Sequence, residues 1–423
     1  MKSAIIIAGA TGDLSHRKLI PALNYLYCRK MIDQETMIIG SGRGELTDEE
    51  FRGRFATNCQ FSDRLYYHQG LEGIKEYLDG FGEFERVICF LSIPPQAYSS
   101  TAAVLAKEGF GEEALIVIEK PFGHNFETAS ILNSELTESF REEQIYRNDH
   151  YLAKETVQNI MVFRFANTIF EAIWNNRYVE SILIEGYEEL GLEERAAYYD
   201  SAGSLRDMIQ NHLMQLLCLV TMEPPVNLDA QEISRQKVDI LKSLKIDKCS
   251  KGQYEGYRLE KGVDPDSTTD TAAEVKARIE NFRWSGVPII MRTAKAASRT
   301  ETRIVVTFKN IPRLLFNSEG EIAHNRIIIT VQPNEGIMLD VAGKVPGINL
   351  EIGRSKMNFS LRQSYEGDIP EAYQKLLLDA INGDRTLFVS ADETELSWKA
   401  LEPFLEGGEP FLYRKGKTPF PRD

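Results

Sequence analysis

The chain has 423 residues, of which 43% are hydrophobic, 26% charged and 10% aromatic. These proportions are typical of a globular enzyme with more than one domain, and they exclude a disordered or fibrous chain. The formal net charge of −14 disfavours non-specific binding to nucleic acid, so we expect no nucleic-acid partner.

We expect neither a membrane segment nor a metal site. The apolar run at Ala4–Ala8 is far shorter than a membrane span and lacks a signal peptide's cleavage region, which predicts a cytoplasmic protein with no membrane contact. The five cysteines are scattered and form no CxxC pair: Cys28, Cys59, Cys89, Cys218 and Cys249. This pattern predicts reduced, mostly buried thiols and supports neither a disulfide framework nor a zinc site.

The first third of the chain alternates short apolar runs with turns and helical patterns. The predicted strands are Ala4–Ala8, Met37–Gly40, Val87–Ile93 and Leu115–Glu119. Thr47 followed by Glu50 forms a capping-box pattern before a short helix. Strands that alternate with helices indicate a parallel sheet, so we predict an α/β Rossmann-like domain over residues 1–150.

The first predicted strand runs into a glycine turn and then a helix. Gly9 permits a tight turn, and Gly12 lets the backbone approach a pyrophosphate at the N-terminus of the helix. The third small position of the usual dinucleotide fingerprint is Ser15. An ordinary strand–helix connection is the alternative interpretation. The predicted coenzyme contacts here are Gly9, Thr11, Gly12, Asp13, Leu14 and Lys18.

The residue that follows the second predicted strand indicates which coenzyme is preferred. NAD-specific sites usually place an acidic residue there, whereas this chain has Arg43, and a cation favours the 2′-phosphate of NADP. Glu45 weakens the local positive field. A solvated loop arginine is the alternative.

Residues 151–423 predict an α+β domain with a large, mainly antiparallel sheet. The predicted helices are Leu152–Phe165, Leu205–Val220, Pro370–Ile381 and Glu393–Phe404, and the predicted strands are Arg303–Lys309, Arg326–Gln332, Ile337–Val341 and Leu350–Leu361. The segment Lys251–Thr271 is rich in Gly, Asp, Ser and Thr, and it predicts a long surface loop.

Three segments combine charged and apolar residues in a way that indicates a site. Lys120 follows a predicted strand, which places its ammonium at the ligand-binding edge of a parallel sheet. Asp149–Glu155 holds an acid, an imidazole, a phenol and two further charges. In Leu205–Leu213, a projection at 100° per residue puts Asp207 and Asn211 on a polar face and His212 among apolar residues. We therefore expect His212 to be buried or in a cleft.

These motifs resemble the glucose-6-phosphate dehydrogenase family. The similarity covers GATGDL with Lys18, EKPFG at Glu119–Gly123, DHYLxKE at Asp149–Glu155, Arg206-Asp207 with Gln210-Asn211-His212, and VQPNE at Val331–Glu335. It runs in order along nearly the whole chain. The resemblance implies NADP-dependent oxidation of glucose 6-phosphate at C1 to 6-phosphoglucono-1,5-lactone, by a homodimer or tetramer.

The resemblance also implies a role for each matching residue. His212 is then the general base, and Asp149 orients it and stabilises its imidazolium form. The residues that bind the sugar's phosphate are then His150, Tyr151 and Lys154. Those that bind its hydroxyls are Lys120, Glu188 and Asp207. Lys295 and Gln332 are further substrate contacts, and Lys120 also contacts the coenzyme.

The chain departs from the family pattern near the substrate. Asn148 and Ala153 replace isoleucine and glycine, a basic residue expected after Lys295 aligns with Thr300 or, one position early, Arg299, and Glu188 lies in an unusual acidic context. Thr330 replaces a basic residue that animal relatives use for a second NADP, so we expect one nucleotide. Two alternatives remain: a dehydrogenase of another sugar phosphate, such as an amino-sugar phosphate, and a non-catalytic nucleotide-binding regulator.

Overall fold

The computed structural model describes residues 2–192, 196–311, 324–360 and 368–421. The chain divides into two compact units. The first comprises Met1–Ala153, Pro225–Arg235 and Pro370–Glu395, and the second Lys154–Pro224, Gln236–Ile369 and Leu396–Asp423. The first break thus falls close to the predicted boundary at residue 150, whereas the two later segments that join the first unit were not anticipated from the sequence.

Sixteen strands are present in the described ranges and are numbered in chain order. They are β1 Ser3–Ala8, β2 Met37–Gly42, β3 Leu65–Gln69, β4 Arg86–Leu91, β5 Ala114–Glu119, β6 Ile145–Asn148, β7 Val179–Tyr187, β8 Leu244–Tyr254, β9 Ala272–Ile279, β10 Ile289–Ala294, β11 Glu301–Phe308, β12 Arg326–Gln332, β13 Gly336–Lys344, β14 Ile352–Ser360, β15 Phe388–Val389 and β16 Phe411–Tyr413.

The helices include two segments with π-helical hydrogen bonding, Ser15–Leu19 and Leu205–Leu213. The α-helices are α1 Ile20–Cys28, α2 Asp48–Arg52, α3 Ile74–Asp79, α4 Tyr98–Lys107, α5 Phe126–Ser139, α6 Glu155–Phe165, α7 Thr168–Glu171, α8 Ala196–Tyr199, α9 Met214–Thr221, α10 Ala230–Ser243, α11 Ala372–Asn382 and α12 Ala391–Leu405. None of the helices in the described ranges is both long and apolar enough to cross a membrane.

The first unit contains a seven-stranded sheet in the order β15-β6-β5-β4-β1-β2-β3. Strands β1 to β6 pair in parallel, in the order typical of Rossmann folds, and β15 adds an antiparallel edge. All six residues of β1 are buried, as expected for a central parallel strand that is covered on both faces. The predicted Rossmann-like fold is confirmed, and so is the capping box of Thr47 and Glu50 at α2.

The second unit contains a nine-stranded sheet in the order β14-β13-β12-β11-β7-β10-β9-β8-β16. Only the β7–β10 and β8–β16 pairs are parallel, so the predicted mainly antiparallel sheet is confirmed. In β12 the burial alternates, with Ile327, Ile329 and Val331 buried, because one face of the strand packs on the core.

One prediction from the sequence is wrong, and a second holds only in part. Cys28 and Cys59 form a disulfide, with their Cα atoms 5.9 Å apart, because α1 and the segment after α2 meet in the folded chain. The expectation of reduced thiols holds for Cys89 and Cys218, which are buried and form no disulfide. The predicted surface loop Lys251–Thr271 instead begins inside β8.

The remainder of that segment is partly core rather than surface. It contributes the buried side chains of Tyr254 and Tyr257, and it ends at Asp270 and Thr271, which are 5% and 0% exposed. Polar groups of this segment hydrogen-bond to the rest of the fold. Tyr257 Oη and Ser267 Oγ both donate to the carboxylate of Asp200, at 2.7 and 2.5 Å. Composition alone therefore gave the wrong environment for these residues.

Candidate active site

The glycine turn follows β1 as the sequence predicts. Gly9 has a φ of +81°, and a Cβ on it would collide with the carbonyl oxygen of Ser92. Its N–H donates to Ser41 O at 2.9 Å, and Gly12 N donates to Gly9 O at 3.0 Å. Ser15 donates from Oγ to Gly9 O at 3.3 Å, so the serine at the third small position closes the turn. The backbone is therefore held in the form that a dinucleotide turn requires.

The other predicted coenzyme residues lie around this turn. Thr11, Asp13, Lys18 and Arg43 are exposed, and Leu14 is half-buried. Because β1 and β2 are parallel neighbours, the glycine turn and Arg43 lie at the same edge of the sheet. Asp13 pairs with Arg17 at 2.7 Å.

Lys18 has a partner that the sequence did not indicate. Its Nζ lies 3.1 Å from the carboxylate of Glu371, the residue that precedes α11. The two residues are 353 positions apart, so no local pattern links them. A phosphate that binds Lys18 would replace or share this exposed ion pair.

Lys120 follows β5 next to Glu119, a partly buried acid. The peptide between Lys120 and Pro121 is cis. Glu119 Oε1 accepts a 2.6 Å hydrogen bond from Asn148 Nδ2, and the Tyr373 hydroxyl also binds this carboxylate. Burial raises the pKa of Glu119 to about 7, although both hydrogen bonds lower it. The side chain of Asn148, which departs from the family pattern, thus hydrogen-bonds to Glu119.

Asp149, His150 and Tyr151 form a turn directly after β6. Asp149 is 1% exposed, and its Oδ1 accepts a hydrogen bond from Tyr151 N at 3.0 Å. The ring of His150 packs against Tyr151 and stacks on Tyr373, with centroid distances of 5.2 and 6.4 Å. The structure therefore holds these three predicted residues close together, and it adds Tyr373, which the sequence did not single out.

The second unit brings three predicted substrate residues into one cluster. Lys295 Nζ lies 2.8 Å from Glu188 Oε2 and 2.9 Å from Asp207 Oδ2. Burial by itself lowers the pKa of Lys295, but the two carboxylates more than offset this, and the pKa is raised. Lys295 is therefore a fully charged, buried ammonium between two acids.

A second pair of predicted residues lies in the same unit. Lys154 Nζ donates to Gln332 Oε1 at 2.7 Å, and Gln332 Nε2 donates to Thr302 Oγ1 at 3.2 Å. Gln332 ends β12 and Lys154 directly precedes α6, so two different elements meet through this contact.

His212 lies on the π-helical segment Leu205–Leu213 and is 1% exposed, which confirms that it is buried. Asp207 lies five residues earlier on the same segment. Because π-helical hydrogen bonds join residues five apart, this winding places Asp207 and His212 on the same side of the helix. The projection at 100° per residue assigned them to different faces, and it did so because it assumed an α-helix. Asn211, assigned to a polar face, is 8% exposed.

The two candidates for the displaced basic residue have other partners. Arg299 binds the carboxylates of Glu301 at 2.7 Å and Glu185 at 3.4 Å. Thr300 Oγ1 accepts a hydrogen bond from Glu189 N at 3.0 Å and so anchors the loop that carries Glu188. This contact gives Thr300 an indirect role in placing Glu188.

The predicted site residues divide between the two units at Ala153 and Lys154. The first unit holds the coenzyme residues with Lys120, Asp149, His150 and Tyr151. The second unit holds Lys154, Glu188, Asp207, His212, Lys295 and Gln332.

Comparison with known proteins assigns both parts of the chain to one family. Residues 6–159 match the family model "Glucose-6-phosphate dehydrogenase, NAD binding domain", and residues 161–419 match "Glucose-6-phosphate dehydrogenase, C-terminal domain". The first unit is thus a nicotinamide-nucleotide-binding domain.

Individual relatives agree with these matches. The chain is 42% identical to glucose-6-phosphate 1-dehydrogenase of Borreliella burgdorferi over 435 residues, covering 93% of this chain and 90% of that protein. The Bacillus subtilis enzyme of the same name is 38% identical over 446 residues, with coverages of 96% and 91%. A solved glucose-6-phosphate dehydrogenase in complex with glucose 6-phosphate superimposes with a TM-score of 0.93 at 34% identity, covering 99% of this chain and 95% of that one. The chain therefore belongs to the glucose-6-phosphate dehydrogenase family of oxidoreductases.

Proposed function

We propose that this protein oxidises glucose 6-phosphate at C1 to 6-phosphoglucono-1,5-lactone, with NADP as the hydride acceptor. The observation that carries the proposal is the cluster in which the buried ammonium of Lys295 pairs with the partly exposed carboxylates of Glu188 and Asp207, in a chain similar over 99% of its length to a structure that holds this sugar phosphate. Paired ammonium and carboxylate groups that are partly open to solvent present preformed hydrogen-bond donors and acceptors to a ligand with several hydroxyl groups.

In this proposal the substrate is held at both ends. His150, Tyr151 and Lys154 bind its phosphate, with Gln332 holding the ammonium of Lys154 in place. The carboxylates of Glu188 and Asp207 accept hydrogen bonds from the sugar's hydroxyls, and the ammonium of Lys295 donates to these hydroxyls. Lys120 contacts both the sugar and the coenzyme. An ammonium between two carboxylates offers donors and acceptors within one small region, which suits adjacent hydroxyl groups.

His212 removes the proton from the C1 hydroxyl. As the O–H bond breaks, its electron pair forms the C1=O double bond, and the hydride leaves C1. Asp149 orients the imidazole and stabilises its charged form. A histidine suits this task because its ordinary pKa lies near neutral pH.

The residues around the glycine turn fit a nicotinamide nucleotide. A Cβ on Gly9 would collide with Ser92 O, and the exposed cations Lys18 and Arg43 lie at the same edge of the sheet. The turn with Thr11, Gly12, Asp13 and Leu14 would hold the pyrophosphate, and Arg43 the 2′-phosphate. The nicotinamide ring supplies the hydride acceptor.

Steady-state kinetics across sugar phosphates test the substrate. We expect the highest kcat/KM with glucose 6-phosphate among the 6-phosphates of glucose, galactose, mannose and glucosamine, with NADP reduction followed by absorbance. A higher value with glucosamine 6-phosphate would replace the proposed substrate with an amino-sugar phosphate. No reduction with any of them would contradict the proposal.

Single substitutions test the assigned roles. His212→Asn should lower kcat by roughly 10²–10⁴-fold because the base is lost. Asp149→Asn should also lower kcat, because an amide does not stabilise the imidazolium. Lys154→Ala should instead raise KM for the sugar phosphate. His324→Asn, in the same unit as His212, is the control and should keep the turnover of the unmodified protein. Retained turnover in His212→Asn would shift the base assignment to His150.

Coenzyme titration tests the role of Arg43. A charge-assisted contact is worth roughly 1.5–3 kcal/mol, so NADP should bind about ten- to a hundredfold more tightly than NAD. Arg43→Ala should remove most of this preference while leaving the Kd for NAD unchanged. Equal affinities in the unmodified protein would rule out Arg43 as the selecting residue.

A further inference from the structure

Asp270 and Thr271 form a buried junction directly before β9. They are 5% and 0% exposed. Asp270 Oδ2 accepts a hydrogen bond from Leu205 N at 3.0 Å, and its carbonyl oxygen accepts one from Ser204 N at 2.9 Å. Both donors lie at the N-terminus of the π-helical segment Leu205–Leu213. A carboxylate from a distant part of the chain therefore caps the helix that carries Asp207 and His212.

This cap matters because the helix does not supply its own. Ser204 occupies the N-cap position but makes no side-chain capping bond, and the Ser204 hydroxyl instead lies 2.7 Å from Tyr199 Oη. The first N–H groups of a helix need acceptors, and a carboxylate at that end is favoured by the charge of the helix terminus.

The Asp270 carboxylate packs closely against the backbone of Gly203. Gly203 has a φ of +73°, and a Cβ on it would lie 2.6 Å from Asp270 Oδ1. The chain thus passes so closely that only glycine fits beside the acid.

Thr271 holds the backbone of Lys295, the residue that pairs with Asp207 and Glu188. Its carbonyl oxygen accepts a hydrogen bond from Lys295 N at 2.9 Å. The hydroxyl of Tyr413 lies 2.7 Å from Lys295 O and 3.1 Å from Thr271 O, which braces the same peptide from the C-terminal strand β16. Two adjacent residues therefore hold the backbones that carry Asp207 and Lys295, whose side chains meet at 2.9 Å.

We infer that Asp270 is a positioning residue for the proposed reaction: it fixes the π-helical segment so that Asp207 and His212 stand in register with Lys295. The inference rests on the proposed function. It differs from a role in stability alone, because loss of the cap should displace substrate-binding and reacting groups even in a protein that remains folded.

The test compares Asp270→Ala with Asp200→Ala, well below the melting temperature of both. Asp200 is the matched control, since its carboxylate binds Tyr257 and Ser267 in the neighbouring loop. For Asp270→Ala we expect kcat/KM for glucose 6-phosphate to fall by roughly ten- to a hundredfold, as for a small misplacement of reacting groups, with an unchanged Kd for NADP. Asp200→Ala should lower the melting temperature yet keep kcat/KM.

Two further variants keep the test decisive. Asp270→Asn retains an oxygen that accepts from Leu205 N, so it should recover most of the lost kcat/KM. Gly203→Ala presses a methyl group on the carboxylate and should reproduce the Asp270→Ala kinetics, and it replaces that variant if Asp270→Ala does not fold. Equal kcat/KM in Asp270→Ala and Asp200→Ala would overturn the inference. An unmodified protein that does not oxidise glucose 6-phosphate would overturn the proposed function instead.

Discussion

At the scale of single residues, Asn148 shows how a departure from the family pattern is accommodated. Its amide donates to Glu119 Oε1 at 2.6 Å, beside the cis peptide of Lys120 and Pro121. A partly buried carboxylate that accepts hydrogen bonds from Asn148 and Tyr373 has a defined orientation. The asparagine at position 148 therefore orients the carboxylate of Glu119 on the neighbouring strand, because Glu119 and Asn148 are paired directly in the register of β5 and β6.

Glu119 also gives a pH prediction with a definite sign. Its folded pKa of about 7 lies above the ordinary value of 4.5, because burial disfavours the charged form. Between these two pH values the folded protein binds the proton and the unfolded chain does not. The contribution of Glu119 to the unfolding free energy is therefore fully present below about pH 4.5 and is lost as the pH rises through 7.

Thermal melts of the unmodified protein and Glu119→Gln measure this contribution. We expect the unmodified protein to lose roughly 1–3 kcal/mol relative to the variant between pH 4.5 and 7.5. Asp13→Asn, the corresponding amide substitution at an exposed carboxyl group, is the control. If the difference in unfolding free energy between the unmodified protein and Glu119→Gln does not change between pH 4.5 and 7.5, then folding does not raise the pKa of Glu119.

At the scale of elements, the segment Leu205–Thr221 shows the limit of a periodicity argument. The sequence correctly predicts a helix there, but the first nine residues are π-helical and only Met214–Thr221 is α-helical. The wider turn places Asp207 and His212 on the same side, where the proposed chemistry needs both. Local propensity does not favour this winding, so contacts such as that between Asp270 and Leu205 N have to support it.

Strands were easier to predict where a regular burial pattern runs along the whole strand. β1 is a continuous apolar run and is buried throughout, and β12 alternates as a half-buried strand should. β3 and β8 carry polar side chains without a clear period, and neither was predicted. Each strand is placed by its pairing, β3 with β2 and β8 with β9 and β16, and composition does not encode such pairing.

At the scale of the whole molecule, the resemblance to the family implies self-association through the large sheet. On β14, Met357 and Phe359 are 59% and 37% exposed, so this end of the sheet presents apolar side chains. We expect sedimentation at micromolar concentration to give at least twice the 48.0 kDa mass of the chain.

Substitution locates that interface. The double variant Met357→Lys with Phe359→Lys should sediment as a monomer, since two charges on a paired apolar surface oppose burial. Met31→Lys, a change at a 47% exposed methionine of the first unit, should leave the mass unchanged. A monomeric unmodified protein would contradict the expected dimer, and a tetramer would require a second surface.

The sequence by itself determined the Rossmann-like first domain, the antiparallel second sheet, the glycine turn and a set of candidate site residues. These follow from local periodicity, from steric demands that only glycine meets, and from motifs of high specificity. Only the tertiary structure decided that Lys18 meets Glu371, that Cys28 meets Cys59, that Asn148 holds Glu119, and that Asp270 caps the helix of His212. Each of these contacts joins residues that are far apart in sequence or on different strands, and their energies depend on burial and distance, which exist only once the chain has folded.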